Sequence, residues 1–300
     1  TRFQASMLPR WAEADAVLFN TVEEIDRTGL SYFRRKFQKL VLPIGPVLLP
    51  QQDRDRAGGQ PGVSPATLRA WLDDKPPRSV VYICFGSQNA PAAPQTMQLA
   101  MALEESRRNF VWVVRPPSGW RGEPSPRKWL PEGFEDRVAG GGKRSRGLVV
   151  PGWAPQVEIL SHGATALFLS HGGWNSVLEA LSRGVPMLGW PMAAEQFYNV
   201  KYLEERVGVC VEVGRGAGAE VGKGEILKKI ETAMGEESET GRRMRRKAGE
   251  AMALIMEAVA DGGGGEEGKG TSVKALGELL EAARRLKETT GPAKGQGVFP

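Results

Sequence analysis

Cysteine, histidine and tyrosine are scarce in this chain: its 300 residues include two, two and four of them. Cys84 and Cys210 both lie in apolar, strand-like runs, too few for a disulfide scaffold and in keeping with a reducing, cytoplasmic compartment. No CxxC or HExxH spacing is present, which argues against a metal site. No uninterrupted apolar run approaches the roughly 18 residues of a membrane span, so no integral membrane segment is expected. The opening TRFQASMLPRW lacks the apolar core of a signal peptide.

What is present is an ordinary globular composition, 41% hydrophobic and 25% charged, with enough apolar residues for a sizeable core in one large or two modest domains. The net charge of +5 raises the question of nucleic acid. The densest basic cluster, Arg242, Arg243, Arg245, Arg246 and Lys247, has no aromatic interleaving and runs into an apolar stripe at Met252, Ile255, Met256 and Val259. It reads as the solvated face of a helix, and no nucleic-acid partner is expected.

Short apolar runs alternate with amphipathic stretches along most of the chain. Strands are expected at Ala16–Asn20, Lys39–Ile44, Val80–Phe85, Phe110–Val114, Leu148–Val150, Thr165–Leu169, Val185–Leu188 and Val207–Val213. Helices are expected at Val22–Lys39, Thr67–Asp73, Pro94–Ser106, Pro155–Leu160, Trp174–Arg183, Phe197–Arg206 and Ser272–Lys287. Continuous apolar strands separated by helices imply a parallel, doubly wound α/β sheet, whose ligand sits at the C-terminal ends of the strands. Ser87, just past the strand Val80–Phe85 and Gly86, stands at such an end. The Pro/Gly-rich loop Arg115–Lys128 is assigned no role, and Gly140–Arg146 reads as a solvated loop.

The chain is organised around Trp153–Gln196, WAPQVEILSHGATALFLSHGGWNSVLEALSRGVPMLGWPMAAEQ. Here a buried strand runs into His171-Gly172-Gly173 and then a helix, with Gly184 closing that helix. Two glycines permit close backbone approach, and the free N–H groups of a helix N-terminus favour an anion, naturally a phosphate. Val177, Leu178 and Leu181 form the apolar face, while Asn175 and Glu179 share another. A carboxylate about one turn into the helix suits a pair of neighbouring hydroxyls, such as those of a ribose.

The whole of Trp153–Gln196 resembles the signature segment of plant UDP-dependent glycosyltransferases, from the opening Trp-Ala-Pro-Gln through Ser-His-Gly-Gly-Trp-Asn-Ser to the closing acid-Gln pair. The resemblance implies that Trp153 stacks on uracil with Ala154 and Gln156 beside the base. It gives His171, Asn175 and Ser176 the diphosphate, with Gly173 in the turn beneath it, and gives Glu179 the ribose hydroxyls. Trp174 would offer a backbone N–H to the sugar, and Glu195, where the family more often has Asp, would bind sugar hydroxyls with Gln196. A closing Gln is associated there with UDP-glucose. The run Phe85-Gly86-Ser87 also resembles the family, placing Ser87 near the diphosphate.

The implied fold is the two-Rossmann (GT-B) glycosyltransferase type: a complete C-terminal doubly wound domain and a remnant of the N-terminal one. Residues 1–48 are expected to be the remnant of the acceptor-binding domain, 49–78 a linker and short helix, and 79–260 the UDP-sugar domain. Residues 261–300 would be a glycine-rich break, a closing helix that packs back across to the acceptor half, and an unordered tail. The implied reaction is transfer of glucose from UDP-glucose to a hydroxyl of a small lipophilic acceptor such as a flavonoid, phenolic or hormone. UDP-sugar is a co-substrate, no cofactor is implied, and a monomer is expected at full length.

The resemblance puts the general base in a segment preceding residue 1, so no catalytic residue is named. His171 belongs to the diphosphate, and His162, in a Ser-His-Gly turn, reads as a structural residue. Trp112 and Trp190 are expected in the core. Two alternatives follow: a nucleotide-sugar-binding fragment without turnover, and an NAD(P)-dependent oxidoreductase resting only on the glycine run Gly214–Ala219, which otherwise reads as a surface loop.

Overall fold

The computed structural model describes residues 11, 13–48, 62–122, 125–140, 145–264 and 268–289. The tail from 291 onward, most of the expected linker and the centre of the 140–146 loop lie outside the described residues. The chain divides into two compact units, residues 48–252 and residues 1–47 with 253–300.

In the smaller unit, β1 (Ala16–Phe19) and β2 (Leu40–Pro43) pair in parallel across helix α1 (Glu23–Phe37), with Ala16 opposite Leu40 and Phe19 opposite Pro43. Trp11, Phe19, Phe33 and Phe37 form an aromatic cluster, Phe19 and Phe33 with centroids 4.8 Å apart. The closing helix (Thr271–Thr289) lies against β2, and its Thr271 hydroxyl donates to Glu24 Oε2 at 3.1 Å. Contact groups that helix with the N-terminal residues.

The larger unit begins with α2 (Pro65–Asp73), whose N-cap Ser64 accepts from the Thr67 N–H, and continues with β3 (Val80–Cys84), α3 (Ala93–Ser106) and β4 (Asn109–Val114). Then come α4 (Phe134–Ala139), β5 (Gly147–Pro151), α5 (Gln156–Ser161), β6 (Thr165–Ser170) and α6 (Trp174–Leu181). It ends with β7 (Met187–Gly189), α7 (Gln196–Tyr202), β8 (Cys210–Glu212), α8 (Lys223–Met234) and α9 (Glu239–Ala258), the unit boundary falling inside α9.

All six strands of this unit are parallel, in the order β5-β4-β3-β6-β7-β8. Every residue of β3 and β6 is buried, which explains their unbroken apolar sequences: helices cover both faces of a parallel sheet. From β3 the chain winds outward through β4 to β5, then crosses back to β6 and winds outward the other way. The winding reverses between β3 and β6, and the crevice above their C-terminal ends is where such sheets bind ligands.

The core on one side of the sheet joins Val81, Ile83, Leu99, Leu103, Trp112 and Trp190 to Ile226 and Ile230 of α8. Trp112 and Trp190 are 2% and 0% exposed, as the sequence led us to expect. Helix α3 packs on α8, and Gln95 and Gln98 accept from the Val221 and Lys223 N–H groups at 3.1 and 2.9 Å.

Three local expectations shift. The strand read at Val207–Val213 shrinks to Cys210–Glu212, because α7 continues as a π-helical turn through Leu203–Val207 and stops only at Gly208, whose φ is 78°. Helix α8 was not foreseen, although Ile226, Ile230, Ala233 and Met234 recur at helical spacing and are all buried. The loop after β4 carries Trp129, 3% exposed and edge-on to Trp120 at 5.5 Å, so part of it is core.

Candidate functional site

Two turns form the floor of the crevice. After β3, Gly86 takes φ 75° and Ser87 is exposed; after β6, Gly172 takes φ 77° and Gly173 caps α6. Between them lies the His171 imidazole. A Cβ on Gly86 would come within 2.7 Å of the ring, and one on Gly173 within 2.5 Å. The ring thus fills the space those two residues leave by being glycine. A Cβ on Gly172 would meet Val200 of α7 at 2.6 Å, and Asn199 Nδ2 donates to the Gly172 carbonyl at 3.0 Å, tying the turn to that helix.

Ser170 Oγ lies 3.4 Å from both His171 Nδ1 and the Gly172 nitrogen. The hydroxyl accepts from Gly172 N–H and lies beside Nδ1, so it ties one edge of the imidazole to the end of β6. Burial lowers the His171 pKa from its ordinary 6.5, a shift only partly opposed by the Glu195 carboxylate. His171 is therefore a neutral hydrogen-bond donor at pH 7. Because the folded chain resists protonation here more than the unfolded chain does, its stabilising effect is full above about pH 6.5 and lost as the pH falls toward the lower folded value. Denaturant midpoints measured in small steps below pH 6.5 should decline in the parent chain, and His171→Gln should flatten that part of the slope.

The second cluster joins the starts of α5 and α6. Gln156 Nε2 donates to Glu179 Oε2 at 2.6 Å and to Ser176 Oγ at 3.1 Å, while its Oε1 accepts from the Tyr82 hydroxyl at 3.2 Å. Burial raises the Glu179 pKa, and the Gln156 amide and Arg183 act against that shift. Trp153 immediately precedes this cluster; its indole is half-buried and stacks on no other ring among the described residues. Ala154 is 4% exposed, leaving little but backbone to meet a ligand. Trp174 is half-buried and Asn175 exposed, both on the first turn of α6.

At the start of α7, Glu195 is exposed and follows Ala194, a non-glycine residue at φ 54°. Backbone strain of this kind clusters at functional sites. Gln196 is 6% exposed, and its Oε1 accepts from the Met192 and Ala193 N–H groups at 2.9 and 3.0 Å. Half of that amide thus shapes the loop, and only its –NH2 remains available to a ligand.

Two residues near the crevice were not singled out in the sequence. Tyr82 reads there as one more strand residue; the signal was a phenol in an otherwise aliphatic run. Arg115, the first charged residue after β4, donates from Nη1 to the Ser87 carbonyl at 2.9 Å and braces that turn.

His162 lies elsewhere, with both ring nitrogens engaged: Nδ1 accepts from Ala164 N–H at 3.1 Å and Nε2 donates to Asp73 at 3.0 Å. It pins α2 to the start of β6. On α9, Arg246 and Lys247 pair with Glu250 at 3.0 and 2.8 Å, and Arg245 donates to the Ala233 carbonyl at 3.2 Å, as befits a helix face. The glycine run follows the edge strand β8. Gly216 N–H donates to Pro191 O at 2.7 Å, and a Cβ on Gly214 would meet Val221 at 2.5 Å, so the run is packed loop. Among the described residues, no three of His, Cys, Asp and Glu converge as metal ligands, and no helix is long and apolar enough to cross a membrane.

A six-stranded parallel sheet with turns of this kind at its switch point is a Rossmann-like α/β domain of the GT-B glycosyltransferase type. Residues 63–221 match the family model described as UDP-glucoronosyl and UDP-glucosyl transferase, and the chain belongs to that family. It is 50% identical over 283 residues to UDP-glycosyltransferase 92A1 of Arabidopsis thaliana, covering 94% of this chain and 55% of that protein. It is 38% identical to the scopoletin glucosyltransferase of Nicotiana tabacum, covering 82% of this chain and 51% of the relative. A solved transferase from Siraitia grosvenorii in complex with UDP superposes with a TM-score of 0.76 at 32% identity, over 92% of this chain and 61% of that one. The chain thus spans about half the length of the curated relatives it matches.

Proposed function

We propose that this chain is the donor-binding part of a plant UDP-glucose-dependent glycosyltransferase, and that its crevice holds UDP-glucose. In this reading uracil stacks on Trp153 beside Ala154 and Gln156, and Glu179 accepts from the ribose hydroxyls. The diphosphate rests on the turns of Ser87 and Gly173, with His171, Asn175 and Ser176 around it. The sugar meets the Trp174 backbone, Glu195 and Gln196. The observation that carries the reading is the Gln156–Glu179–Ser176 cluster, which sets a carboxylate one helical turn from the glycine floor at the switch point of the sheet.

The reaction is attack by an acceptor hydroxyl on the anomeric carbon, with inversion and departure of UDP. Charge gathers on the diphosphate as the bond breaks. Backbone N–H groups at the start of α6 and the imidazole of His171 are suited to stabilise it. The acceptor proton needs a base, and neither histidine is assigned that part: His162 has both nitrogens engaged and His171 faces the diphosphate. By analogy with the tobacco relative's scopoletin, a phenol, the acceptor is a small phenolic compound. The two cysteines, both buried and unpaired, suit a cytoplasmic setting.

Calorimetric titration of the 300-residue chain with UDP and UDP-glucose, followed by hydrolysis and transfer assays on the same sample, tests this. Binding with transfer supports the full reading. Binding without turnover supports a second one, a nucleotide-sugar-binding chain that does not itself catalyse. Absence of UDP binding overturns both. Gln196→Ala should lower UDP-glucose affinity about five- to tenfold, the worth of roughly 1 kcal/mol in hydrogen bonding, while UDP affinity changes less than about twofold. Equal loss for both ligands would instead assign Gln196 wholly to the loop.

A further inference from the structure

Building on the proposed donor site, we propose that Tyr82 is a positioning residue: its buried phenol sets the orientation of the Gln156 amide, and through it that of the Glu179 carboxylate.

Tyr82 sits at the centre of the sheet, 0% exposed, with its ring stacked on Phe168 of the neighbouring strand at 4.8 Å and 15° between planes. Strand register places Tyr82 directly opposite Phe168. The stack holds the ring, and its hydroxyl reaches Gln156 Oε1 at 3.2 Å, with the Cys84 thiol from the same face of β3 beside it. The other end of that amide has both N–H groups in use, on Ser176 Oγ and Glu179 Oε2.

An amide has two orientations that differ only in exchanging its oxygen and nitrogen. Turned the other way, Gln156 would set its oxygen against the Glu179 carboxylate, acceptor against acceptor, and its –NH2 against the phenol. The phenol hydroxyl favours the observed orientation by donating to the oxygen. Burial raises the Tyr82 pKa well above its ordinary value, so the proton that does this is present across the working pH range. With phenylalanine at position 82, Oε1 has no side-chain donor in a part-buried place, and the Glu179 contact alone holds the amide. The carboxylate then keeps its partner, but on a side chain anchored at one end only, and is less firmly oriented.

The test reads coupling between Tyr82 and the ribose. Wild type, Tyr82→Phe, Glu179→Gln and the double variant are each titrated with UDP and with 2′-deoxy-UDP, after circular dichroism has shown them folded. The deletion of one hydroxyl keeps the ring, its stack and its volume.

Wild type is expected to prefer UDP. Tyr82→Phe should lower UDP affinity about five- to tenfold, the ordinary worth of one hydrogen bond, while 2′-deoxy-UDP, which keeps one of the two hydroxyls, should lose by a clearly smaller factor. In the Glu179→Gln background, Tyr82→Phe should have little further effect on UDP. Equal losses for both ligands, or equal losses in both backgrounds, would make Tyr82 a packing residue and overturn the proposal. Unchanged UDP affinity in Tyr82→Phe would overturn it too. A wild-type chain that binds neither nucleotide would overturn the donor-site reading beneath it, an outcome distinct from binding without coupling.

Discussion

Glu179→Gln is expected to weaken UDP binding by about 1.5–3 kcal/mol, roughly 10- to 150-fold, because it removes the charge from a group proposed to accept two hydroxyl hydrogen bonds. The same change should not lower the melting temperature at neutral pH. Burial raises the Glu179 pKa above its ordinary 4.5. A carboxylate shifted that way contributes stability below its unfolded pKa and loses it as the pH rises through the folded one, so the ionised form is a liability to folding at pH 7. Glutamine has nearly the same shape and no charge to desolvate. Isothermal titration and a thermal melt on one preparation separate the two effects. A variant that bound UDP like the parent would remove Glu179 from the donor site.

Trp190→Ala is expected to cost about 3–5 kcal/mol of stability, the usual range for truncating a fully buried tryptophan. Trp190 follows β7 directly, is 0% exposed, and meets Phe85 edge-on at 6.0 Å. Its indole N–H donates to the Gly216 carbonyl at 3.3 Å. Alanine leaves a cavity under both Phe85, which leads into the Gly86 turn, and the 214–219 loop. A single domain of this size has about 5–15 kcal/mol to lose, so a fall of several degrees or more in melting temperature should be plain. A change below about 1 kcal/mol in a denaturant titration would show that the site collapses around the gap.

Much of this molecule is written in local pattern. The unbroken apolar runs at β3 and β6, the glycines that end them and the 3.6-residue period of α6 are short-range features. They suffice for a parallel α/β sheet with an anion-favouring turn at His171-Gly172-Gly173. Helix α8 is legible by the same spacing of Ile226, Ile230 and Met234, but the glycines between 214 and 224 give its start the composition of a loop. The short span of β8 was not legible, since Val207 and Val209 look alike in sequence and only Gly208's left-handed backbone separates π-helix from strand.

What the sequence by itself determined is the kind of residue offered at each strand end and the family to which Trp153–Gln196 belongs. Period, glycine placement and a long gapless motif depend on neighbours in the chain. What only the tertiary structure decided is which of those residues meet. Nothing local says that β6 returns to lie beside β3, yet that crossing brings Gly86 against His171 and Tyr82 within reach of Gln156, 74 residues away. Nor does local pattern tell which half of the Gln196 amide the loop will use. Side-chain hydrogen bonds are settled by packing across the sheet, where a buried donor or acceptor left without a partner costs more than any local preference of the chain supplies.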